Sequence, residues 1–454
     1  MSTSQIHRKD VKTILNENKM GALQKLILFF CFAIIALDGL DVVVMGLIAP
    51  QIIQEWGVSA QELAPVLSAA LIGLAVGALV SGPLSDKFGR KPVLILSVLA
   101  FGIFTLLTAF SSDIHHLMIY RFLTGLGAGA AAPNAATLAS EYAPDHRRSF
   151  SVTVAYCGFS LGAAAGGFLA AWMIPEFGWR SMLILGGVLP LILVPFLYWK
   201  MPESITYVVK HSASQDQIQR ILKRLFPDKS YAGQQIYLNE VKTEKSGLSL
   251  ILSSKYRYGT IMLWISYFMA LFLIYLCSSW LPTLIKANHF SISQAAIVTS
   301  FFQMGGPIGS ITLGWCMDRY RPRLVLCIAM MIGALATFGL GHFNQDILLM
   351  CIFAWILGFS FNGGSVGLSA LATGYYPTLA RATGASWMNG IGRFGAILSA
   401  FAGAAMIGSG MPFSTMFSLL MIPAVLSGLA VLLQGAKTKS INQVGNSRFS
   451  LDQQ

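Results

Sequence analysis

The sequence predicts an all-α membrane protein, twelve transmembrane helices in two six-helix, pseudo-symmetric halves around a central cavity. Three observations predict it. The 454 residues are 55% hydrophobic and only 11% charged, with a mean hydropathy of +0.65, whereas soluble domains carry about 25% charged residues. The apolar residues gather into twelve runs close to the roughly 20 residues that a helical span needs. These runs are continuously apolar rather than alternating, which selects helices over a barrel. Two motifs in the first six runs also recur in the last six at nearly one offset, the sign of an internal duplication.

The first run, 26–50, holds two acids, Asp38 and Asp41. A spacing of three places both on one helix face. Carboxylates are costly at membrane depth, so the pair points to a bundle interior that handles protons or charged solutes; polar glue between helices is the plainer alternative. Two carboxylates one turn apart disfavour simultaneous ionisation, so one can hold a proton at neutral pH.

The second run, 62–82, leads into the loop GPLSDKFGRK at 82–91. Its glycines allow a tight reversal between helices. Asp86 is placed to pair with Arg90, or to face the partly positive N-terminal end of the eleventh helix. With Gly89, these residues are read as a gate that closes the inner face and favours an outward-open state. The third run is 93–111 and the fourth 117–140, with Arg121 near its outer end and Glu141 at its inner end. Arg121 is read as a partner for Asp41, an attractor of anions, or a side chain snorkelling to the interface. Glu141 is read as one member of an ion cluster with Arg147 and Arg148. The fifth run, 150–173, continues a series of glycines (Gly125, Gly127, Gly129, Gly158, Gly162, Gly166) that let helices approach closely. The sixth is 181–199.

A polar stretch, 201–257, separates the halves and reads as a cytoplasmic linker. The seventh run, 258–284, contains Trp264 and Tyr267; the eighth, 293–317, ends near Asp318 and Arg319; the ninth is 324–342. The tenth, 346–372, contains Phe361 and Asn362, and the eleventh, 382–406, contains Trp387, Asn389 and Arg393. The twelfth is 412–434. The expected domains are therefore a tail (1–25), a first half (26–200), the linker (201–257), a second half (258–434) and a tail (435–454).

Arg393 is the only basic residue in the middle of a span. At about 1.5 Å per residue it lies about 17 Å into the eleventh helix, and Asp38 about 18 Å into the first. Arg393 is accordingly expected either to hold a substrate carboxylate in its planar fork or to pair with Asp38 or Asp41. A fixed structural ion pair is the alternative. Trp264, Tyr267, Phe361, Asn362, Trp387 and Asn389 are candidates to wall an aromatic ligand and recognise a ring hydroxyl.

The net charge of +12 suggests nucleic acid only until positions are considered. With a cytoplasmic N-terminus, all of the 31 Lys and Arg except Arg121, Arg180, Lys286 and Arg393 fall in cytoplasmic segments. That is a topology signal placing both termini in the cytoplasm, not a nucleic-acid patch. The first twenty residues are polar without a cleavable-signal pattern, so the first span is expected to direct insertion. The six cysteines lie in or at apolar runs without a CxxC pair and read as small buried hydrophobes. With no Walker loop and no His/Cys cluster, no cofactor, metal or catalytic residue is expected.

The repeat is specific. Gly82, Asp86 and Lys87 recur as Gly314, Asp318 and Arg319, offset by 232, and Tyr142, Pro144 and Arg148 recur as Tyr375, Pro377 and Arg381, offset by 233. The 82–91 loop, the stretch RFLTGLGAG at 121–129 and the six-plus-six layout resemble the major facilitator superfamily. Within it, Asp38-Gly39-Leu40-Asp41 resembles the hallmark of the aromatic acid:proton symporter family. Further likenesses run nearly the whole length: CGFSLG at 157–162, SWLPT at 279–283, GASW at 384–387 and GIGRFG at 390–395. The chain is most similar to that family's 4-hydroxybenzoate and protocatechuate transporters.

The resemblance implies that Asp38 and Asp41 are needed for proton-coupled transport and that Asp86 and Arg90 belong to the gating loop. It implies a non-enzymatic, monomeric, multi-pass carrier of a bacterial inner membrane, importing an aromatic carboxylate together with protons. Other organic anions, such as benzoate, vanillate, gentisate or muconate, are alternative cargoes. A proton-driven exporter, a receptor and a passive channel are rival classes. Two departures matter: Tyr320 and Pro322 replace the glycine and basic residue that the repeat expects, so the second gate should be weaker. Span five, with Gly162, Gly166 and Gly167, lacks the Gly-Pro of drug:proton antiporters, which counts against export.

Overall fold

A computed structural model describes residues 8–211, 215–227, 229, 231, 234–237 and 248–435. The expected tails at 1–7 and 436–454, and 238–247 of the linker, lie outside these residues. In chain order the elements are β1 (Arg8–Asp10), α1 (Val11–Asn16), α2 (Ala22–Trp56), α3 (Ala60–Phe88), α4 (Arg90–Ala109), α5 (Ile114–Tyr142), α6 (Asp145–Phe177), α7 (Arg180–Lys200), α8 (Ile205–His211), α9 (Gln215–Leu225), β2 (Gln235–Tyr237) and α10 (Leu248–Ile251). There follow α11 (Arg257–Ala287), α12 (Ile292–Arg319), α13 (Pro322–His342), α14 (Ile347–Tyr375), α15 (Thr378–Gly408) and α16 (Phe413–Leu433).

Helices α2–α7 and α11–α16 occupy the twelve expected spans, and several overrun them, α2 reaching 35 residues. Ten are long and apolar enough to cross a membrane by length and composition. The other two, α5 and α12, match them in length but carry more small and polar residues. Those small residues bring backbones together.

The chain divides into two compact units. One is Met1–Val44, Ala69–Gly166 and Phe177–Lys242; the other is Met45–Ser68, Gly167–Glu176 and Thr243–Gln454. The division departs from the sequence halves, because the C-terminal end of α2, the start of α3 and a stretch of α6 pack with the later helices.

In the first unit α4 lies against α5 and α7, and α3 meets α5 through reciprocal glycines. A Cβ added at Gly73 or Gly77 would fall 2.1 or 2.2 Å from the carbonyl oxygen of Phe122 or Leu126, and one at Gly125 would fall 2.1 Å from that of Ala70. The second unit repeats this contact between α12 and α14. There Gly305, Gly309 and Gly358 bring backbones within 2.4, 2.2 and 1.7 Å of an added Cβ. Gly305 and Gly309 follow Gly73 and Gly77 by 232 positions, and Gly358 follows Gly125 by 233. The duplication thus reappears as one packing solution used twice.

The tail and linker are more structured than their polarity suggests. Strand β1 pairs in parallel with β2, with Arg8 opposite Gln235 and Asp10 opposite Tyr237. Val11, Ile14 and Leu15 of α1 share a buried cluster with Ile218, Leu222 and Leu225 of α9 and Ile236 of β2. The spacing of Ile218, Leu222 and Leu225 is an amphipathic helix signal. Asn16 Nδ2 donates to Asp145 Oδ2 (2.6 Å) and Gln24 Nε2 to the Tyr142 carbonyl (2.6 Å), fastening this layer to α5 and α6.

Candidate functional site

The strongest charged contact in the first unit is buried. Arg121 grips Asp41 with both ends of its fork, Nη1 to Oδ1 at 2.8 Å and Nη2 to Oδ2 at 2.7 Å. The two residues are 2% and 3% exposed, so neither charge is solvated. Thr105 Oγ1 on α4 donates to the same carboxylate at 3.3 Å. Of the readings open for Arg121, partnership with Asp41 is the one the geometry shows; snorkelling is excluded by its burial. The expectation that Arg393 pairs with Asp41 is corrected at the same stroke. Asp41 already has a bidentate partner.

The orientation of α2 is set by its other faces. Gly39, between the two acids, lies against α6 so closely that a Cβ would sit 1.9 Å from the Phe159 carbonyl oxygen. Gly162 on α6 answers with an added Cβ 1.9 Å from the Ala36 carbonyl oxygen, and Gly158 lies similarly against Phe32. This contact fixes the rotation of α2 and so the direction of its acids. Asp38, 6% exposed, lies one turn before Asp41 on the neighbouring part of the same face.

The second unit holds the other candidates. On facing turns of α11 and α15, Tyr267 donates its hydroxyl to Asn389 Oδ1 at 2.8 Å. The Trp264 and Trp387 rings stack at 6.0 Å with 25° between planes. Gly392 lets the Tyr267 ring come close, since an added Cβ would lie 2.5 Å from Cδ1. Arg393 follows Asn389 by one turn on the same face, is half-buried, and forms no salt bridge among the described residues. Asn389 and Gly390 are exposed beside it. The structure therefore gathers Tyr267, Asn389 and Arg393 on one side of the α11–α15 contact, while Trp387, two residues before Asn389 and so on the opposite side of α15, stacks with Trp264 in line with the exposed Phe394, Leu398 and Phe401.

It does not gather Phe361 and Asn362 there. Phe361 is fully buried against Gly333 of α13 and is a packing residue, which corrects its reading as a cavity wall. Asn362 Nδ2 instead donates to Gln303 Oε1 (3.3 Å), whose Nε2 donates to Ser278 Oγ (3.0 Å).

The loop between α3 and α4 also differs from expectation. Arg90 Nε binds Glu141 Oε1 at 2.8 Å rather than Asp86, which is exposed and in no salt bridge among the described residues. Glu141 also accepts from Ser204 Oγ, while Arg147 and Arg148 are exposed rather than clustered with it. Glu203, unnoticed in the sequence, accepts the backbone N–H of Arg90 (2.9 Å) and Lys91 (3.0 Å). A carboxylate there caps α4 and meets the positive end of its dipole. Gly89 supplies the turn with φ at +96°, a conformation that suits glycine. In the corresponding place after α14, tyrosines replace the ions. Tyr375 donates to the Tyr256 carbonyl (3.1 Å) and Tyr376 to Thr260 Oγ1 (3.0 Å). Asp318 and Arg319 are exposed, the latter lying over the Trp315 ring at 4.1 Å.

Residues 30–286 and 263–450 match the Major Facilitator Superfamily. The chain belongs to that superfamily. It is 42% identical to the 4-hydroxybenzoate transporter PcaK of Pseudomonas aeruginosa, over 95% of this chain and 96% of that one. It is 43% identical to a gallate transporter of Pseudomonas putida, over 94% and 95% of the two chains. A benzoate transport protein of Acinetobacter baylyi is 30% identical over 93% and 92%. Among solved structures, the inward-open xylose transporter XylE of Escherichia coli shares the fold, with a TM-score of 0.71, 18% identity, and coverage of 89% and 95%.

As a member of the superfamily the chain is a multi-span membrane transporter and not an enzyme. Sequence reasoning missed one group in this transporter and named another without selecting it. The partnership of Asp41 with Arg121, one of three readings open for Arg121, spans 80 residues, so no local pattern chooses it. Glu203 acts through its position at a helix start, and its one local signal is the preceding Pro202, which marks the end of α7.

Proposed function

We propose that this transporter imports an aromatic carboxylate of the 4-hydroxybenzoate type together with protons across a bacterial inner membrane, with both termini cytoplasmic. The observation that carries the reading is Arg393, a cation within a span without a carboxylate partner among the described residues, set one turn from Asn389 and the Tyr267 ring bonded to it. A guanidinium held there is matched by a ligand carboxylate, and the flanking ring by an aromatic body. The names of the similar transporters, for 4-hydroxybenzoate, gallate and benzoate, agree in chemical class.

On this reading Asp41 stays charged against Arg121, and Asp38 is the group that takes up and releases the proton. Arg393 binds the substrate carboxylate while Tyr267 and Asn389 contact the ring. Repeat halves of this kind open a central site alternately to each side. The loop residues Asp86, Gly89, Arg90 and Glu141, with Asp318 and Arg319 in the repeat, gate that motion.

Uptake of labelled 4-hydroxybenzoate into proteoliposomes tests the binding claim. Arg393→Ala is expected to cut uptake at least a hundredfold, and Arg393→Lys to recover part of it, since a point charge replaces a fork. Unchanged uptake and half-saturation in Arg393→Ala would overturn the assignment. The proton claim has its own measurement. Asp38→Asn is expected to retain substrate counterflow while losing accumulation driven by an inward proton gradient. Gradient-driven accumulation at the wild-type level would remove Asp38 from the proton path.

A further inference from the structure

We propose that Lys91, Lys200 and Arg224 hold the phosphodiester headgroup of an anionic phospholipid at the end of α7, where Trp199 borders the lipid chains. The site lies wholly within the first unit and is independent of what the transporter carries.

Two cations are fixed to one helix end. The last carbonyls of a helix lack an intrahelical donor, and the residue that would serve Tyr198 is Pro202, which has no N–H. Lys91 Nζ, from the first turn of α4, donates to the Tyr198 carbonyl at 2.7 Å. Arg224 Nη2, from the last turn of α9, donates to the Lys200 carbonyl at 3.0 Å. Helix carbonyls point along the axis, so these two oxygens stand about 5 Å apart. The ammonium and the guanidinium are thereby held close enough to repel each other.

Lys91, Lys200 and Arg224 form no salt bridge among the described residues. Glu203 attracts Lys91, yet its Oε1 already accepts the backbone N–H of Arg90, Lys91 and Ser204 at 2.9, 3.0 and 2.7 Å. One carboxylate against three cations leaves the cluster positive. Each fixed side chain spends one donor on a carbonyl, which leaves two N–H groups on the ammonium and four on the guanidinium. An anion bridging the two relieves their repulsion and meets donors already held in place, so little ordering cost remains.

The surroundings put the cluster at the membrane boundary. Ile192, Phe196 and Trp199 follow one another along α7 at spacings of four and three and are 55%, 50% and 70% exposed. An exposed apolar stripe on a span faces lipid. Lys200 follows Phe196 by one turn, so the stripe runs directly into the basic cluster. Tyr198, also exposed, has Lys91 Nζ 5.5 Å from its ring centroid. Aromatic rings beside basic side chains at the end of a span sit at headgroup depth. A soluble anion would use the cations and leave the stripe idle; a lipid uses both.

The general excess of basic residues on this face attracts anionic lipid without any built site. Arg147 and Arg148, adjacent and exposed on α6, supply the comparison. The test is native mass spectrometry of detergent-purified, full-length protein titrated with dioleoyl phosphatidylglycerol or dioleoyl phosphatidylcholine, which share acyl chains and differ in net charge. Wild type is expected to bind the first phosphatidylglycerol about tenfold more tightly than phosphatidylcholine. Lys91→Gln/Arg224→Gln is expected to weaken phosphatidylglycerol about twentyfold, from roughly fivefold per charge removed, and to leave phosphatidylcholine within about twofold. Arg147→Gln/Arg148→Gln removes as much charge and is expected to stay within about twofold for both lipids. Equal binding of the two lipids by wild type, or an equal loss in the two double variants, would overturn the proposal. Displacement of phosphatidylglycerol by glycerol 3-phosphate at matched concentration would reveal a soluble-anion site and overturn the lipid assignment. If the first double variant purifies poorly, Arg224→Gln alone, on an exposed side chain, is expected to give about a fivefold loss, and no loss overturns the proposal.

Discussion

Replacing Arg121 with glutamine is expected to abolish uptake and to lower stability by about 3–5 kcal/mol, because it strands a buried carboxylate. Asp41 is 3% exposed, and its two oxygens take both guanidinium nitrogens at 2.8 and 2.7 Å. Thr105, at 3.3 Å, is too weak a donor to compensate alone. The double variant Asp41→Asn/Arg121→Gln separates structure from function. It removes both charges together, so most of the lost stability should return, as it does when a buried pair is exchanged for neutral groups. Transport should not return if the pair belongs to the working cycle. Thermal unfolding of purified protein measures the first claim and proteoliposome uptake the second. A double variant that transports normally would make the pair ordinary structural glue.

The pair also shows why some of the site was legible in the sequence and some was not. Acids and arginines at membrane depth stand out because apolar surroundings make each one costly, so Asp38, Asp41, Arg121 and Arg393 all draw attention by position. Their partners do not. Whether Asp41 meets Arg121 or Arg393 depends on which helices touch, and that is decided by glycine contacts whose two sides lie 49 to 120 residues apart, as between Gly73 and Phe122 or Gly39 and Phe159. Hydropathy finds the spans well for the same reason that it misses the N-terminal layer. It sums apolarity over a window, and α9 spreads Ile218, Leu222 and Leu225 among charged residues. Periodicity, not mean apolarity, carries that helix. The inner-face network is a third case: Asp86 and Arg90 are neighbours in the chain, yet Arg90 turns to Glu141 on α5 and Glu203 after α7. Local charge spacing proposes pairs, and helix packing chooses among them.

Gly39→Ala is the complementary experiment, since it changes no charge and is still expected to reduce transport at least tenfold. An alanine Cβ at Gly39 would stand 1.9 Å from the Phe159 carbonyl oxygen, while real contacts of this kind stay beyond 3.0 Å. Backbone, unlike a flexible side chain, cannot step aside, so α2 and α6 must part by roughly 1 Å or α2 must rotate, at a cost of about 1–3 kcal/mol. Either movement turns Asp41 away from Arg121, whose bidentate geometry tolerates little displacement. The loss should therefore fall on transport more than on folding. Gly374→Ala on α14, where no atom lies within 4 Å of the added Cβ, is the matched control and should leave abundance and thermal stability unchanged. Reduced uptake by Gly39→Ala with normal abundance would show that the glycine between the acids serves to aim them. Wild-type uptake would mean that α2 and α6 absorb the methyl group without disturbing the pair, and the link from helix approach to carboxylate orientation would fail.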